Sequence, residues 1–166
     1  MSEKANILNK DQLGNTLRRL AWEVYEKNHN EKEIVLIGVE KRGVEICNRI
    51  SDILSDISEI NIKKGTIKLD KDNPSDHEID LSVSDNDLMN QTVILVDDVL
   101  SSGKTLMYAA KQLLSVSLKS LSVLVLVNRN HNNYPIKADY EGLSFSTTLQ
   151  EHVNVVLGKN EGVYLS

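Results

Sequence analysis

Short apolar runs alternate along this chain with longer stretches whose apolar residues recur at helical spacing. Three runs are continuous, aliphatic and rich in β-branched residues: Ile34–Val39, Val93–Val96 and Leu121–Val127. Three stretches show helical periodicity: residues 10–28, 43–57 and 104–115. Continuous apolar runs are typical of parallel strands buried on both faces. Their alternation with helices predicts an α/β fold in which a parallel sheet is flanked by helices.

The remaining segments are less regular. Asn9 and Gln12 form a capping box that predicts the start of the first helix. Strand-like residues recur around positions 59–69 and again in a final strand from Val153 to Leu157. Residues 70–91 are rich in Asp, Asn and Ser and predict a long flexible loop, whose length favours a functional role. Residues 128–152 show no clear periodicity, so an irregular segment is expected there.

Composition narrows the class of protein. A length of 166 residues with 40% hydrophobic residues fits a single domain spanning residues 1–166. The single cysteine, Cys47, fits a reducing compartment, and no apolar run approaches the length of a membrane span. The first residues carry no secretory signal, so we expect a cytoplasmic protein. A net charge of −5 weighs against broad nucleic-acid binding.

The segment from Val93 to Thr105, VILVDDVLSSGKT, carries the most chemistry. A buried strand ends in Asp97 and Asp98, a tight loop follows, and a helix begins near Lys104. A helix N-terminus with nearby hydroxyl groups and a glycine suits a phosphate, and the residues concerned are Ser101, Ser102, Gly103, Lys104 and Thr105. Two carboxylates beside that phosphate must face a hydrogen-bond donor, such as ribose hydroxyls, or a metal.

Gly103, Lys104 and Thr105 also match the end of a nucleoside-triphosphate loop of the form G-x-x-x-x-G-K-[ST]. The first glycine of that pattern would fall on Asp98. A carboxylate at that position would repel the phosphates of the nucleotide, so this interpretation is rejected.

The segment resembles the binding motif for 5-phosphoribosyl-1-pyrophosphate (PRPP) in type I phosphoribosyltransferases. The resemblance implies that Asp97 and Asp98 hold the ribose 2′ and 3′ hydroxyls as catalytic residues, and that residues 101–105 hold the 5-phosphate. In the same superfamily the loop after the first strand binds pyrophosphate. Lys41, Arg42 and Gly43 follow Ile34–Val39 and supply the expected charges and turn there.

The resemblance extends to one family, the bifunctional pyrimidine-operon attenuation regulators, which are also uracil phosphoribosyltransferases. Four segments occur in the family's order and spacing: ILNKDQLGNTLRRLAWEVYEKN, VLIGVEKRGVEICNRI, VILVDDVLSSGKT and LVLVNRNHNNYPIKADYEG. The likeness implies a dimer or higher oligomer, PRPP and uracil as substrates, Mg²⁺ bound with PRPP, and a small C-terminal hood over the base at about residues 128–152.

The chain also departs from that family. Ser101 stands where the regulators usually have Tyr and where enzymes for 6-oxopurines have Asp, which argues against hypoxanthine or guanine. Leu69-Asp70-Lys71-Asp72 replaces an Arg-Asp-Asp run, and loss of that arginine predicts slower catalysis. Basic residues that contact RNA in the family are missing near three positions: Asn132, Asn133 and Leu143. Trp22 lies near the position of a family histidine.

Three functions therefore stay open. The first is an enzyme that joins PRPP to a pyrimidine base, with Arg42 and Lys41 at the pyrophosphate and Arg129 near the base. The second is a nucleotide-sensing regulator that binds leader mRNA and has weak or no catalysis; RNA is the less favoured partner. The third is another transferase of the superfamily.

Overall fold

The computed structural model describes residues 5–166, and within this range strands and helices alternate through most of the chain. The strands are β1 (Ala5–Leu8), β2 (Glu33–Val39), β3 (Asn61–Lys68), β4 (Asp80–Leu81), β5 (Thr92–Leu100), β6 (Ser120–Asn128), β7 (Tyr140–Ser144), β8 (Val153–Val156) and β9 (Gly162–Leu165). The helices are α1 (Lys10–Asn28), α2 (Arg42–Ile57), α3 (Asp85–Leu88) and α4 (Lys104–Leu113).

Six strands form the main sheet in the order β4-β3-β2-β5-β6-β7. Every neighbouring pair from β3 to β7 is parallel, and only the two-residue edge strand β4 is antiparallel. The predicted α/β fold, a parallel sheet flanked by helices, is confirmed.

The central strands bury alternate residues in two separate cores. On β2, Ile34 and Leu36 pack with α1 and α2, whereas Val35 and Ile37 pack on the opposite face with residues of α4. β5 and β6 divide their side chains in the same way. Because both faces are covered, these strands are apolar throughout, which explains the continuous runs in the sequence.

The sequence located most boundaries within a few residues. Asn9 caps α1, its side chain accepts from the backbone N–H of Gln12, and the reciprocal bond completes the predicted capping box. β5 is longer than the predicted Val93–Val96, because it continues through both aspartates to Leu100. The 70–91 segment contains β4 and α3.

The prediction of an irregular segment at residues 128–152 is wrong in part. β7 lies inside it and pairs with β6 at the sheet edge. Its sequence, YEGLS, buries only Tyr140 and shows no alternation, so pairing with β6, not local propensity, makes it a strand. The predicted strand at Val153–Leu157 is present as β8, but it is not the final strand and lies outside the main sheet.

A second sheet has three strands in the order β1-β9-β8, so strands from both ends of the described chain pair in it. Val155 and Val163 from this sheet join the core that contains α1 and α2. In the part of the chain that the structure describes, no helix is long and apolar enough to cross a membrane.

Candidate functional site

The carboxyl ends of β2 and β5 form the edge where the candidate residues meet. The two strands are parallel neighbours, with Gly38 opposite Val96. The loop after β2 and the loop after β5 therefore lie side by side, at the edge where ligands bind in open α/β sheets.

Two glycines allow this close approach. A Cβ on Gly38 would lie 2.6 Å from Cα of Val44, and a Cβ on Gly43 would lie 2.6 Å from the carbonyl oxygen of Val96. The first turn of α2 is thus seated directly on the end of β5, beside Asp97. Gly43 was predicted to turn the loop into the helix; its second role is to bring that helix to the carboxylates.

Asp97 and Asp98 are nearly inaccessible, with 3% and 4% of their surface exposed. Arg42 pairs with Asp98, its Nε lying 2.6 Å from Oδ2. Burial and the adjacent charge of Asp98 raise the pKa of Asp97 well above its ordinary value. The structure therefore joins the two predicted loops through an ion pair between Arg42 and Asp98.

The glycine that opens α4 has the conformation its position requires. Gly103 has φ +85°, and a Cβ there would also meet Cγ2 of Ile136 at 2.6 Å. Ser102 Oγ accepts from the backbone N–H of Lys104 at 3.2 Å, and its carbonyl accepts from two N–H groups of the 128–139 segment. Gly103, the N-cap residue, has no side chain that could cap the helix, so the turn is shaped by the Ser102 hydroxyl and by backbone bonds.

The loop after β5 and the first turn of α4 contain Ser101, Ser102, Gly103, Lys104 and Thr105. Their binding of a phosphate stays a prediction. The Lys104 side chain leaves that turn, and its Nζ donates to the backbone carbonyl of Asp72 at 2.9 Å. Residues 70–73 therefore lie against the candidate phosphate site.

Lys41 and Arg42 flank the other side of the edge. They line a cavity of about 610 Å³ together with Glu45 and residues of β8 and Gly158. The backbone N–H of Glu40 donates to the carbonyl of Ile67, which fixes this loop to β3. The predicted cationic loop is thus present, with Arg42 serving as the first residue of α2.

Arg129 follows β6 and links the β5 loop to the segment before β8. Its Nε donates to Thr147 Oγ1 at 3.0 Å, and Nη2 donates to the carbonyl of Glu151 at 2.6 Å. Nη1 lies 3.5 Å from Ser101 Oγ. A cavity of about 450 Å³ opens beside these groups and is also lined by His131 and Leu149.

The family resemblance connected Leu69-Asp70-Lys71-Asp72 with catalysis, but the sequence did not predict the contact of this turn with Lys104, and it did not single out Thr147. Both arrive from distant parts of the chain, and no local pattern reveals their partners. The only signal in the turn is a lysine between two aspartates, Asp70-Lys71-Asp72.

Within residues 5–166, no group of three or more His, Cys, Asp or Glu side chains could hold a metal ion.

Comparison with known proteins identifies the family and the fold to which the chain is similar. Residues 4–157 match the phosphoribosyl transferase domain family. A hypoxanthine phosphoribosyltransferase of Trypanosoma cruzi superposes with a TM-score of 0.76 at 16% identity, covering 90% of this chain and 84% of its own. A hypoxanthine-guanine phosphoribosyltransferase of Bacillus anthracis superposes with a TM-score of 0.70 at 21% identity, covering 86% and 82%. At these identities the likeness shows the fold alone.

Relatives in sequence identify a narrower group within this family. The Bifunctional protein PyrR of Clostridium acetobutylicum is 37% identical over 162 residues, covering 93% of this chain and 91% of the relative. The protein of the same name from Deinococcus radiodurans is 33% identical over 166 residues, covering 96% and 91%. The chain belongs to the phosphoribosyltransferase family and, within it, to the Bifunctional protein PyrR group.

Proposed function

We propose that this protein transfers the phosphoribosyl group of PRPP to uracil, giving uridine monophosphate and pyrophosphate. The observation that carries the proposal is the Arg42–Asp98 ion pair between the loop after β2 and the strand end before the phosphate turn. It assembles a cationic group, two ribose acceptors and a helix N-terminus at one edge of the sheet.

Each part of PRPP would contact a different set of residues. The 5-phosphate would lie at the start of α4, held by the hydroxyls of Ser101, Ser102 and Thr105 and by backbone N–H groups at Gly103 and Lys104. Asp97 and Asp98 would accept hydrogen bonds from the ribose hydroxyls. Lys41 and Arg42 would face the pyrophosphate.

The reaction breaks the bond between the anomeric carbon and the pyrophosphate oxygen. A ring nitrogen of the base forms the new bond to that carbon and gives up its proton, which passes to the departing pyrophosphate or to water. Negative charge grows on the leaving group, so the cations of Lys41 and Arg42 would bind the transition state more strongly than the ground state. The buried carboxylates would stabilise the positive charge that develops on the sugar ring. Mg²⁺ chelated by PRPP would neutralise phosphate oxygens and enter as part of the substrate.

The proposal of uracil rests on Ser101 and Arg129. Ser101 offers a hydroxyl rather than a carboxylate, and Arg129 presents a guanidinium within 3.5 Å of it. The guanidinium of Arg129 would donate to a carbonyl oxygen of a pyrimidine, and no carboxylate at position 101 is available for a purine ring proton.

The relatives are named bifunctional, which supports a second role in which nucleotide occupancy is sensed. We keep an RNA-binding regulator as the alternative function. The net charge of −5 disfavours it, and so do the cations of α1 that bind carbonyls of this same chain.

A screen of base preference tests the proposal. Labelled PRPP with Mg²⁺ is offered with uracil, orotate, hypoxanthine, guanine, adenine or xanthine, and the labelled nucleotide is separated and counted. We expect uridine monophosphate to be the main product. Turnover of hypoxanthine or guanine without turnover of uracil would contradict the pyrimidine assignment, and absence of turnover with bound PRPP would favour the regulator.

A further inference from the structure

Arg49 in the middle of α2 joins two carboxylates from different parts of the chain. Its Nε donates to Glu45 Oε1 at 2.9 Å, one turn earlier in the helix, and its Nη2 donates to Glu161 Oε1 at 2.6 Å. Glu161 ends the turn between β8 and β9, which spans residues 157–161 and is called the β8–β9 turn below. Of the two side chains in this second pair, 27% and 13% is exposed. A planar guanidinium with several fixed donors is suited to such a bridge.

The same face of α2 lines the cavity in which the pyrophosphate would lie. Arg42, Glu45 and Arg49 follow one another at spacings of three and four residues, so they share one face of the helix. Lys41, Arg42 and Glu45 line one side of the cavity of about 610 Å³, and residues 155–158 line the other. The two sides belong to a helix and to the smaller sheet. Arg49 bonds to a residue of the first side and to the turn that ends the second.

The β8–β9 turn is exposed, and a single carboxylate oxygen determines its position. Residues 158–160 lie at the surface. Glu161 Oε1, which accepts from Arg49, also accepts from the backbone N–H of Gly158 at 3.1 Å. One oxygen therefore closes the turn and attaches it to α2. The strands themselves are anchored separately, because each buries a valine in the core with α1 and α2, so the hairpin should fold without this contact.

Glu45 would oppose an anion in this cavity if its charge were unpaired. Its side chain is 48% exposed and lines the cavity beside the two cations. A carboxylate in that place repels a bound phosphate. The guanidinium of Arg49 lies 2.9 Å from it and supplies the opposite charge. Lys41 and Arg42 can then attract the anion without being cancelled by their neighbour.

We infer that Arg49 is a positioning residue of the pyrophosphate cavity, which holds the β8–β9 turn as the side opposite Lys41 and neutralises Glu45 within the near side. The inference rests on the proposed function, since pyrophosphate is the anion assigned there to this cavity. Arg49 would not contact the substrate itself. It acts through Glu45 and Glu161.

Removal of Arg49 should affect one part of the substrate and spare the rest. Ribose 5-phosphate carries the groups assigned to Asp97, Asp98 and the start of α4, whereas inorganic pyrophosphate carries only the group assigned to this cavity. Arg49→Met should weaken pyrophosphate binding at least about threefold and change ribose 5-phosphate binding less than about 1.5-fold. A general loss of folding would weaken both ligands alike.

Calorimetry on the whole chain, with Mg²⁺ present, measures both affinities. Glu161→Gln removes the contact to the turn alone and should also weaken pyrophosphate selectively. Adding Glu45→Gln to Arg49→Met removes the unpaired carboxylate and should restore part of the lost affinity, which a general disturbance of α2 would not allow. Arg18→Met is the matched control, since Arg18 is exposed on α1 and bonds to Asn15 of its own helix.

A measurement without ligand tests the turn directly. Backbone order parameters of residues 158–160, from NMR relaxation, should fall in Arg49→Met and in Glu161→Gln and should stay at the wild-type value in Arg18→Met. Unchanged order of the turn, or pyrophosphate affinity equal to that of wild type, would overturn the inference and leave the proposed function standing. Equal weakening of both ligands would overturn it as well. A wild type that binds neither ligand would count against the proposed function and the inference together.

Discussion

Asp98 connects the two loops of the site at the scale of single residues. Its carboxylate pairs with Arg42 on one oxygen, and its other oxygen accepts the backbone N–H of Val99 at 2.9 Å. One side chain therefore fixes both the cation of α2 and the backbone just before the phosphate turn. Replacement by an amide would keep the shape and lose the charge.

We expect Asp98→Asn to weaken PRPP binding at least tenfold, about 1.4 kcal/mol, with the fold unchanged. The variant loses an acceptor at the ribose and releases Arg42 from its partner. Calorimetry measures the affinity, and circular dichroism checks the fold. Asp52→Asn on the exposed side of α2 is the control with the same change of charge. Equal affinity of Asp98→Asn and wild type would refute the assignment of the motif.

The residues of this site differ in how far sequence alone could locate them. The run VILVDDVLSSGKT combines a buried strand, a turn and a helix start within thirteen residues, all of which leave local signals. The Arg42–Asp98 pair depends on β2 and β5 being neighbours, which parallel topology favours but does not determine. The contact of Lys104 with the carbonyl of Asp72 depends on how a long loop folds back, and no periodicity encodes that.

Helix α2 and strand β5 are the pair of elements on which the site depends most. Gly43 has no room for a side chain, because a Cβ there would lie 2.6 Å from the Val96 carbonyl and 3.1 Å from Cα of Asp97. The backbone cannot yield without moving the carboxylates. The close approach of these elements is therefore a requirement of the site as well as of the packing.

We expect Gly43→Ala to lower the free energy of unfolding by about 1–3 kcal/mol, the usual cost of overpacking. Gly14→Ala is the matched control, since Gly14 lies inside α1 and a Cβ there would meet nothing within 4 Å. That control should raise stability by about 0.5–1 kcal/mol, because alanine favours helix. Urea denaturation measures both. Equal effects of the two substitutions would show that the contact is not tight.

Strands buried on both faces were predicted well, because burial requires a continuous apolar sequence. Short strands that depend only on pairing with another strand were predicted poorly. β2, β5 and β6 are covered on both faces, so their sequences are continuously apolar. β1, β7 and β9 have only four or five residues, and each needs a partner that is distant in sequence or at the sheet edge. Their side chains therefore carry no independent strand signal.

At the scale of the whole molecule, α1 has an aromatic surface that the rest of residues 5–166 leaves exposed. Trp22 is 45% exposed and packs edge-on against Tyr25 with ring centroids 5.9 Å apart. Exposed large aromatic residues are enriched at interfaces between protein chains.

We therefore expect the chain to form at least a dimer at micromolar concentration. Light scattering coupled to size exclusion should give a mass of twice the single chain or more, across a dilution series. Trp22→Glu, which places a charge on this surface, should lower the mass if α1 contributes to the interface. A wild-type mass of one chain would contradict the expectation.

The distribution of charge over the whole molecule determines what to expect with RNA. The net charge of −5 repels a polyanion at low salt, so any RNA contact needs a local excess of cations. The surface formed by α1 and β7 is where such an excess could arise, because Arg19 and Lys27 lie beside β7.

Those cations already have partners in the chain. Arg19 donates to the carbonyls of Glu141 and Gly142 and pairs with Glu23, while Lys27 donates to the carbonyl of Asp139. RNA phosphates would have to compete with these contacts and with the neighbouring carboxylates. A dimer has twice as many positive charges and twice as many negative charges, so the ratio between them is unchanged.

We expect weak or undetectable binding of pyrimidine-leader RNA. The measurement is a filter-binding titration with and without uridine monophosphate across a salt series, where each phosphate contact to a cation adds to the salt slope. Glu23→Gln with Glu141→Gln should increase RNA affinity and the slope, because the substitutions remove charges that oppose phosphate beside Arg19. Nanomolar binding by wild type that depends on the nucleotide and falls steeply with salt would instead make RNA regulation the primary function.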